Sequence, residues 1–359
     1  MAVPERTDVI RIGLIGYGYS GRTFHAPLIG ATPELSLTMV ASSDPAKVSA
    51  DLANVPVVAD PGDLIQSNDV ELVVIATPND THAPLARAAL RAGKHVVVDK
   101  PFTLNLAEAR ELRDLARQQR RLLAAFQNRR WDSDFLSIRH ALAEGLVGEA
   151  SHYESHFDRF RPDVRRRWRE GAGPGSGIWF DLGPHLVDQA LQLFGLPDCL
   201  NANFARQRAG ALADDWAHVV LNYGSRRVIL HAGMLTAGGV HRFVVHGSKG
   251  SLVKHAADRQ EAQLLAGTKP TDPDWGADPD DLVWLDGKGG QRRIPAVRGD
   301  QRQFYVAIAA ALRAAEPNPV PADQVVAVVA IIEAAVLAAV SGQRATLDLT
   351  PDERNVWER

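Results

Sequence analysis

With 359 residues, 45% of them hydrophobic and 23% charged, the chain has the length and composition of a globular protein of two domains. A net charge of -3 gives no general pull toward nucleic acid or an anionic membrane, and no apolar run is expected to be long enough to span a bilayer. A single cysteine, Cys199, excludes an intrachain disulfide and a C-x-x-C metal site; with no signal-peptide pattern before the first strand, the expected setting is the reducing cytoplasm.

Residues 9 to 126 alternate strand and helix, with strands expected over 9–15, 37–42, 55–58, 72–77, 95–98 and 122–126. Runs such as Val73-Val74-Ile75 and Val96-Val97-Val98 suit strands buried on both faces of a parallel sheet. Between them lie helical stretches, among them 83–91, with Gly93 placed as its C-terminal stop, and a helix through Arg117 opened by an Asn105/Glu108 capping box. Six strands with crossover helices are the doubly wound nucleotide-binding architecture.

The first of these strands runs into Gly16-Tyr17-Gly18-Tyr19-Ser20-Gly21, a G-x-G-x-x-G turn. Gly16 suits a tight turn, Gly18 the close approach of a pyrophosphate, and Gly21 the packing of helix on strand. The following helix N-terminus offers free N–H groups and positive dipole to phosphates. Asp44 lies twenty-three residues after Gly21, beside Ser42 and Ser43. It is placed either to accept from the adenosine ribose hydroxyls or to cap a helix. Thr77, Pro78 and Asn79, with His82 just beyond, end the fourth strand and should line the cofactor.

After Phe126 the rhythm changes. A helix over 132–144 precedes a strand over 150–160, a basic loop over 161–177, and a helix over 181–194. Strands follow over 200–207, 218–223, 228–235, 243–246 and 251–254, with Gly247-Ser248-Lys249-Gly250 as a hairpin turn. Successive strands with few helices between them imply a mostly antiparallel sheet. A polar loop over 267–290 and helices over 301–315 and 322–340 complete the chain. The expected division is 1–126 for cofactor and 127–359 for substrate and assembly.

Three groups of residues could carry chemistry. Asp99-Lys100-Pro101 ends the fifth strand, where open α/β sheets bind ligands; Lys100 is either aimed at that crevice or a surface cation. Asp181 and His185, four apart on a helix, form either an oriented general base or a cap beside a packed histidine. Asn128-Arg129-Arg130-Trp131, Arg159 and Arg161 join His152, His156 and Asp158, which share one strand face; such a face suits a polyhydroxylated ligand, and a His/Asp metal site is the alternative, with no ligand motif to support it. Acidic residues inside the basic stretch 159–169 argue against nucleic acid.

The glycine loop through His25, the Asp99-Lys100-Pro101 turn and the Asp181-x-x-x-His185 helix resemble the Gfo/Idh/MocA oxidoreductases. Asn128-Arg129-Arg130-Trp131-Asp132-Ser133-Asp134-Phe135 and Glu154 to Pro162 are similar to the scyllo-inositol 2-dehydrogenase branch of that family. The resemblance implies a Rossmann domain followed by an α/β domain with an open sheet, often used to form a dimer or tetramer. It implies a Lys100, Asp181, His185 catalytic set, NAD or NADP as cofactor, and a polyol or sugar substrate. On that basis Asn128, His156, Arg159 and Trp168 are candidates for holding substrate hydroxyls. Asp99 replaces the family's usual glutamate. NADP-using relatives carry arginine at the position of Asp44. Other carbonyl substrates, such as an open-chain sugar, an imine or a dihydrodiol, fit the same motifs. A cofactor-sensing regulator is the reading from another class, and it predicts loss of the catalytic set.

Overall fold

The computed structural model describes residues 9–314 and 316–357. Ala315, the expected end of one helix, and residues 1–8 lie outside the described residues.

The first sheet holds β1 (Ile10–Ile15), β2 (Leu35–Ala41), β3 (Val57–Val58), β4 (Leu72–Ile75), β5 (His95–Val98) and β6 (Leu123–Ala125). All pairs are parallel and the spatial order is β3-β2-β1-β4-β5-β6. Every residue of β4 is fully buried, as its unbroken Leu-Val-Val-Ile run requires. The helices over it are capped by their own sequence. Asp44 accepts from the Lys47 N–H at 3.1 Å, Asp60 from Gly62 at 2.8 Å and Asn105 from Glu108 at 2.9 Å. The capping box at Asn105 is only half formed, because Glu108 reaches back to the Leu104 N–H instead.

The second sheet has eight strands: β7 (Ala150–Asp158), β8 (Cys199–Ala205), β9 (Trp216–Tyr223), β10 (Arg226–Gly233), β11 (Phe243–Gly247), β12 (Gly250–Lys254), β13 (Leu282–Leu285) and β14 (Gln291–Ile294). Their order is β14-β13-β12-β11-β7-β10-β9-β8, and only β7 and β10 pair in parallel. The hairpin at 247–250 is present. β13 lies inside the stretch expected as polar loop and β14 just after it. Each is four residues long, too short for a pattern, and exists by pairing with its neighbour.

Helices Ile178–Phe194 and Ala322–Ser341 cover the inner face of this sheet. The second also packs on helix Leu106–Gln119, joining the two halves of the molecule. Its 20 residues are long and apolar enough to cross a bilayer by length and composition, which corrects the expectation that no such run exists. Most of it is core, from Val325 through Ala338. Two buried arginines hold the second half together. Arg130 grips Asp188 with bonds of 2.8 and 2.6 Å, and Arg242 reaches Asp134, Ser155 and Gln189.

Candidate active site

The glycine turn behaves as three separate steric constraints. Gly16 has φ +96°, and a Cβ there would lie 2.6 Å from the Ala76 carbonyl oxygen. A Cβ on Gly21 would overlap the Gly16 carbonyl. A Cβ on Gly18 would meet nothing within 4 Å. Turn and packing fix the first and third glycines, and the middle one faces open space as a phosphate approach requires.

That space is a groove of about 480 Å³. Gly16, Tyr17, Gly18, Tyr19, Ser20, Ser42, Ser43, Asp44, Thr77 and Pro78 all line it, joined by Lys47. Asp44 is the N-cap, and it also borders the groove, so the two alternatives for this residue are compatible. Tyr17 donates to Asp51 at 3.2 Å, and Arg22 holds the same carboxylate at 2.6 Å. Asn79 and His82 sit behind the lining. Asn79 donates to the Gly175 carbonyl at 2.9 Å, tying the basic loop to the cofactor side. His82 lies between the carbonyls of Pro101 and Thr77, at 2.8 and 3.0 Å; burial lowers its pKa, opposed by Asp99 and by these two carbonyls.

A second cleft, of about 420 Å³, adjoins the groove; Tyr19, Ser20, Asp99, Trp168 and Arg169 line both. Lys100, at the end of β5, points into it. Its Nζ donates to the Asp181 carboxylate at 2.9 Å and to the Asp181 carbonyl at 2.7 Å. The helix carrying Asp181 begins at Ile178, a turn earlier than expected, so Asp181 sits in its first turn and does not open it. Burial pushes the Asp181 carboxyl up, but Lys100 and Arg169, the latter 3.5 Å away, outweigh it and hold the group well below the usual carboxylate range.

The expected Asp181–His185 partnership is replaced by Asp181–Lys100. His185 lines the cleft with its Nδ1 buried and unpartnered. Burial, then the charges of Lys100 and Arg129, hold its pKa well below 6.5, so the imidazole is neutral at pH 7. Beneath Lys100, Asp99 accepts the Lys100 backbone N–H at 2.7 Å and lies 3.7 Å from His25 Nε2. Burial again raises its pKa, and His25 and Lys100 more than reverse the shift.

Of the expected substrate residues, Asn128, Arg159 and Trp168 line this cleft with Lys100, Asp181 and His185. Asn128 is fixed by donating to Gln301 at 2.9 Å. His156 does not line it. Its ring lies on the outer face of the second sheet, against Glu154 at 2.9 Å, because period-two alternation turns it away from the helices.

Other residues line the cleft, and apart from Arg161 and Arg129 they escaped sequence reading. Arg161, Arg165, Arg167 and Arg169 come from the basic loop, which is pinned and not freely solvated. Glu170 anchors it by accepting from the Arg165 N–H at 2.9 Å, from Arg167 at 2.7 Å and from Arg208 at 3.0 Å. Tyr19 donates to Glu261 at 2.7 Å, and Arg129 holds the other oxygen of Glu261 at 3.1 Å. Glu261 lies 242 residues from Tyr19, on the short helix Gln260–Leu265, and no local pattern could have revealed it.

Comparison with known proteins gives the family of both halves of the chain. Residues 10–126 match the NAD-binding Rossmann-fold domain of the oxidoreductase family Gfo/Idh/MocA, and residues 139–347 match its C-terminal alpha/beta domain. The chain is 52% identical to the uncharacterized oxidoreductase YdgJ of Escherichia coli, over 96% of this chain and 99% of that one. It is 36% identical to the scyllo-inositol 2-dehydrogenase (NADP(+)) IolW of Bacillus subtilis, over 92% and 94% of the two chains. A crystal structure from Klebsiella pneumoniae, assigned as an oxidoreductase, superposes with a TM-score of 0.93 at 56% identity, covering 98% of each chain. The chain belongs to the Gfo/Idh/MocA oxidoreductase family.

Proposed function

We propose that this oxidoreductase uses NAD or NADP to interconvert a secondary alcohol of a cyclic polyol or sugar, scyllo-inositol-like, with its ketone. Residues 1–126 serve the cofactor and 127–359 the substrate and assembly. The observation that carries this reading is the meeting of groove and cleft. The Lys100–Asp181 pair and a neutral His185 stand in a cleft that shares five lining residues with the glycine-loop groove. The open space over Gly18 fits a pyrophosphate, and a bound nicotinamide supplies the hydride acceptor or donor.

The protein's own groups handle the proton and the charge. Neutral His185 takes the hydroxyl proton in oxidation and returns it in reduction. Lys100, held in place by Asp181, donates to the same oxygen and stabilises negative charge as it develops. Asn128, Arg159 and Trp168 hold the remaining hydroxyls. Thr77, Pro78 and the serines at 42 and 43 border the cofactor, with Asp44 at its adenosine end. Homo-oligomer formation on the outer sheet face and a cytoplasmic setting belong to the same reading.

One observation favours a variant of the substrate. The side chains of Arg159, Arg161 and Arg165 line the cleft without a carboxylate partner among the described residues, which suits a polyol bearing a phosphate or carboxylate. The test is absorbance of the reduced nicotinamide, with NAD and NADP run separately. The panel holds neutral inositols, sugar acids and phosphorylated polyols. Turnover with a cyclic polyol is expected. Tight cofactor binding with no turnover on any alcohol or ketone of the panel would overturn the reading in favour of cofactor sensing.

A further inference from the structure

The outer face of the second sheet carries a row of histidines that the active site does not use. β7 and β10 run parallel in a register that sets His156 beside His231, and β9 sets His218 opposite His231. Asp158, two residues beyond His156, points to the same side. Its side chain is only 4% exposed, yet its Oδ1 has no hydrogen-bond partner, and neither has His156 Nδ1. His156 Nδ1 faces the Asp158 carboxylate through Oδ2, and the unpaired Oδ1 faces His231 Nε2, so the buried group calls for a cation beside it or a proton on a ring.

The distances favour a metal ion. His156 Nδ1 lies 3.3 Å from Asp158 Oδ2, and His231 Nε2 lies 3.5 Å from Asp158 Oδ1. Both exceed the roughly 2.7–3.2 Å of a good N–H···O bond. Each is close to the edge of a tetrahedron, about 3.3 Å when each ligand stands about 2.0–2.1 Å from zinc, with one imidazole nitrogen beside each oxygen of the carboxylate. All three donor atoms lie within 4.8 Å of one another.

The outer contacts prepare the lone pairs. Glu154 accepts from His156 Nε2 at 2.9 Å, which keeps the proton there and leaves Nδ1 free. His218 and His231 face each other through their Nδ1 atoms at 3.3 Å; donation from His231 to His218 leaves His231 Nε2 free. A carboxylate on the far nitrogen, as Glu154 is for His156, is a usual setting of a metal-binding histidine.

We propose that His156, Asp158 and His231 bind one divalent transition-metal ion of the zinc class on the outer sheet face, apart from the substrate cleft. Glu154 and His218 orient the two imidazoles, and water or a group from another molecule completes the coordination.

Cobalt(II) titration of the chelator-treated, full-length protein tests this. One equivalent should bind per chain and produce visible ligand-field absorption, and zinc should displace it. His231→Ala and Asp158→Asn should abolish the band while leaving cofactor affinity unchanged. Glu154→Gln should weaken binding by about 10–100-fold, the range for loss of an outer-shell partner. Zinc should also raise the thermal midpoint of the native protein, by mass action, and not that of the two ligand variants. No saturable cobalt band in the native protein overturns the proposal. So does a band that persists at full strength in both ligand variants.

Discussion

At the residue scale, His185 shows how burial selects a protonation state. Its pKa is depressed, so the ring stays neutral at pH 7 and protonates only well below 6.5. In the proposed reaction, alcohol oxidation needs the neutral form. The kcat/KM of oxidation should therefore be flat through neutrality and fall only in acid, while ketone reduction, which needs the protonated form, should rise as pH falls. His185→Gln should cost about 10²–10⁴-fold in kcat and leave cofactor affinity, read by fluorescence titration, near its native value. Full activity in that variant would remove His185 from the role of base. The sequence could name Lys100, Asp181 and His185 as neighbours of a crevice. It could not show that Asp181 turns to Lys100 and leaves His185 unpaired, since that depends on where the helix begins and how β5 approaches it.

At the element scale, the glycine turn separates folding from binding. Gly21→Ala drives a methyl group into the Gly16 carbonyl, so it should destabilise the fold by about 1–3 kcal/mol, the cost of overpacking. Gly18→Ala meets no protein atom and should stay within about 0.5 kcal/mol of native stability. Its methyl group occupies the phosphate approach, and cofactor affinity should drop at least about tenfold, or about 1.4 kcal/mol. Thermal unfolding and cofactor titration on both variants check the contrast; equal loss of stability in the two would contradict it. The turn was readable because its constraints are local. The basic loop was not: its own Glu170 is tied to Arg208, and its Gly175 to Asn79, two residues brought in from separate parts of the fold.

At the scale of the whole molecule, the C-terminal turn Pro351–Asn355 is clipped back onto helix Leu106–Gln119. Glu353 accepts from Arg110 at 2.9 and 2.8 Å and from Arg113 at 2.7 Å. The Arg110 bonds, chiefly, push its pKa down from 4.5 to about 2. A depressed carboxylate contributes stability that is complete above about pH 4.5 and lost as pH falls toward 2. Glu353→Gln should lower the urea midpoint at pH 7 and flatten the acid part of the stability profile. An unchanged profile would show that the clip contributes nothing.

The sequence by itself determined the alternation of β and α, the parallel first sheet, the glycine cradle and the presence of a lysine turn facing an Asp-His helix. Each is encoded in hydrophobic period, turn chemistry or short fixed spacing, within reach of neighbouring residues. Only the tertiary structure decided the pairing of Lys100 with Asp181, the bridge from Tyr19 to Glu261, the two strands β13 and β14 at one edge of the second sheet and the turning of His156 away from the cleft. Those depend on contacts between residues far apart in the chain, where pairing register and burial, and not local propensity, set the outcome.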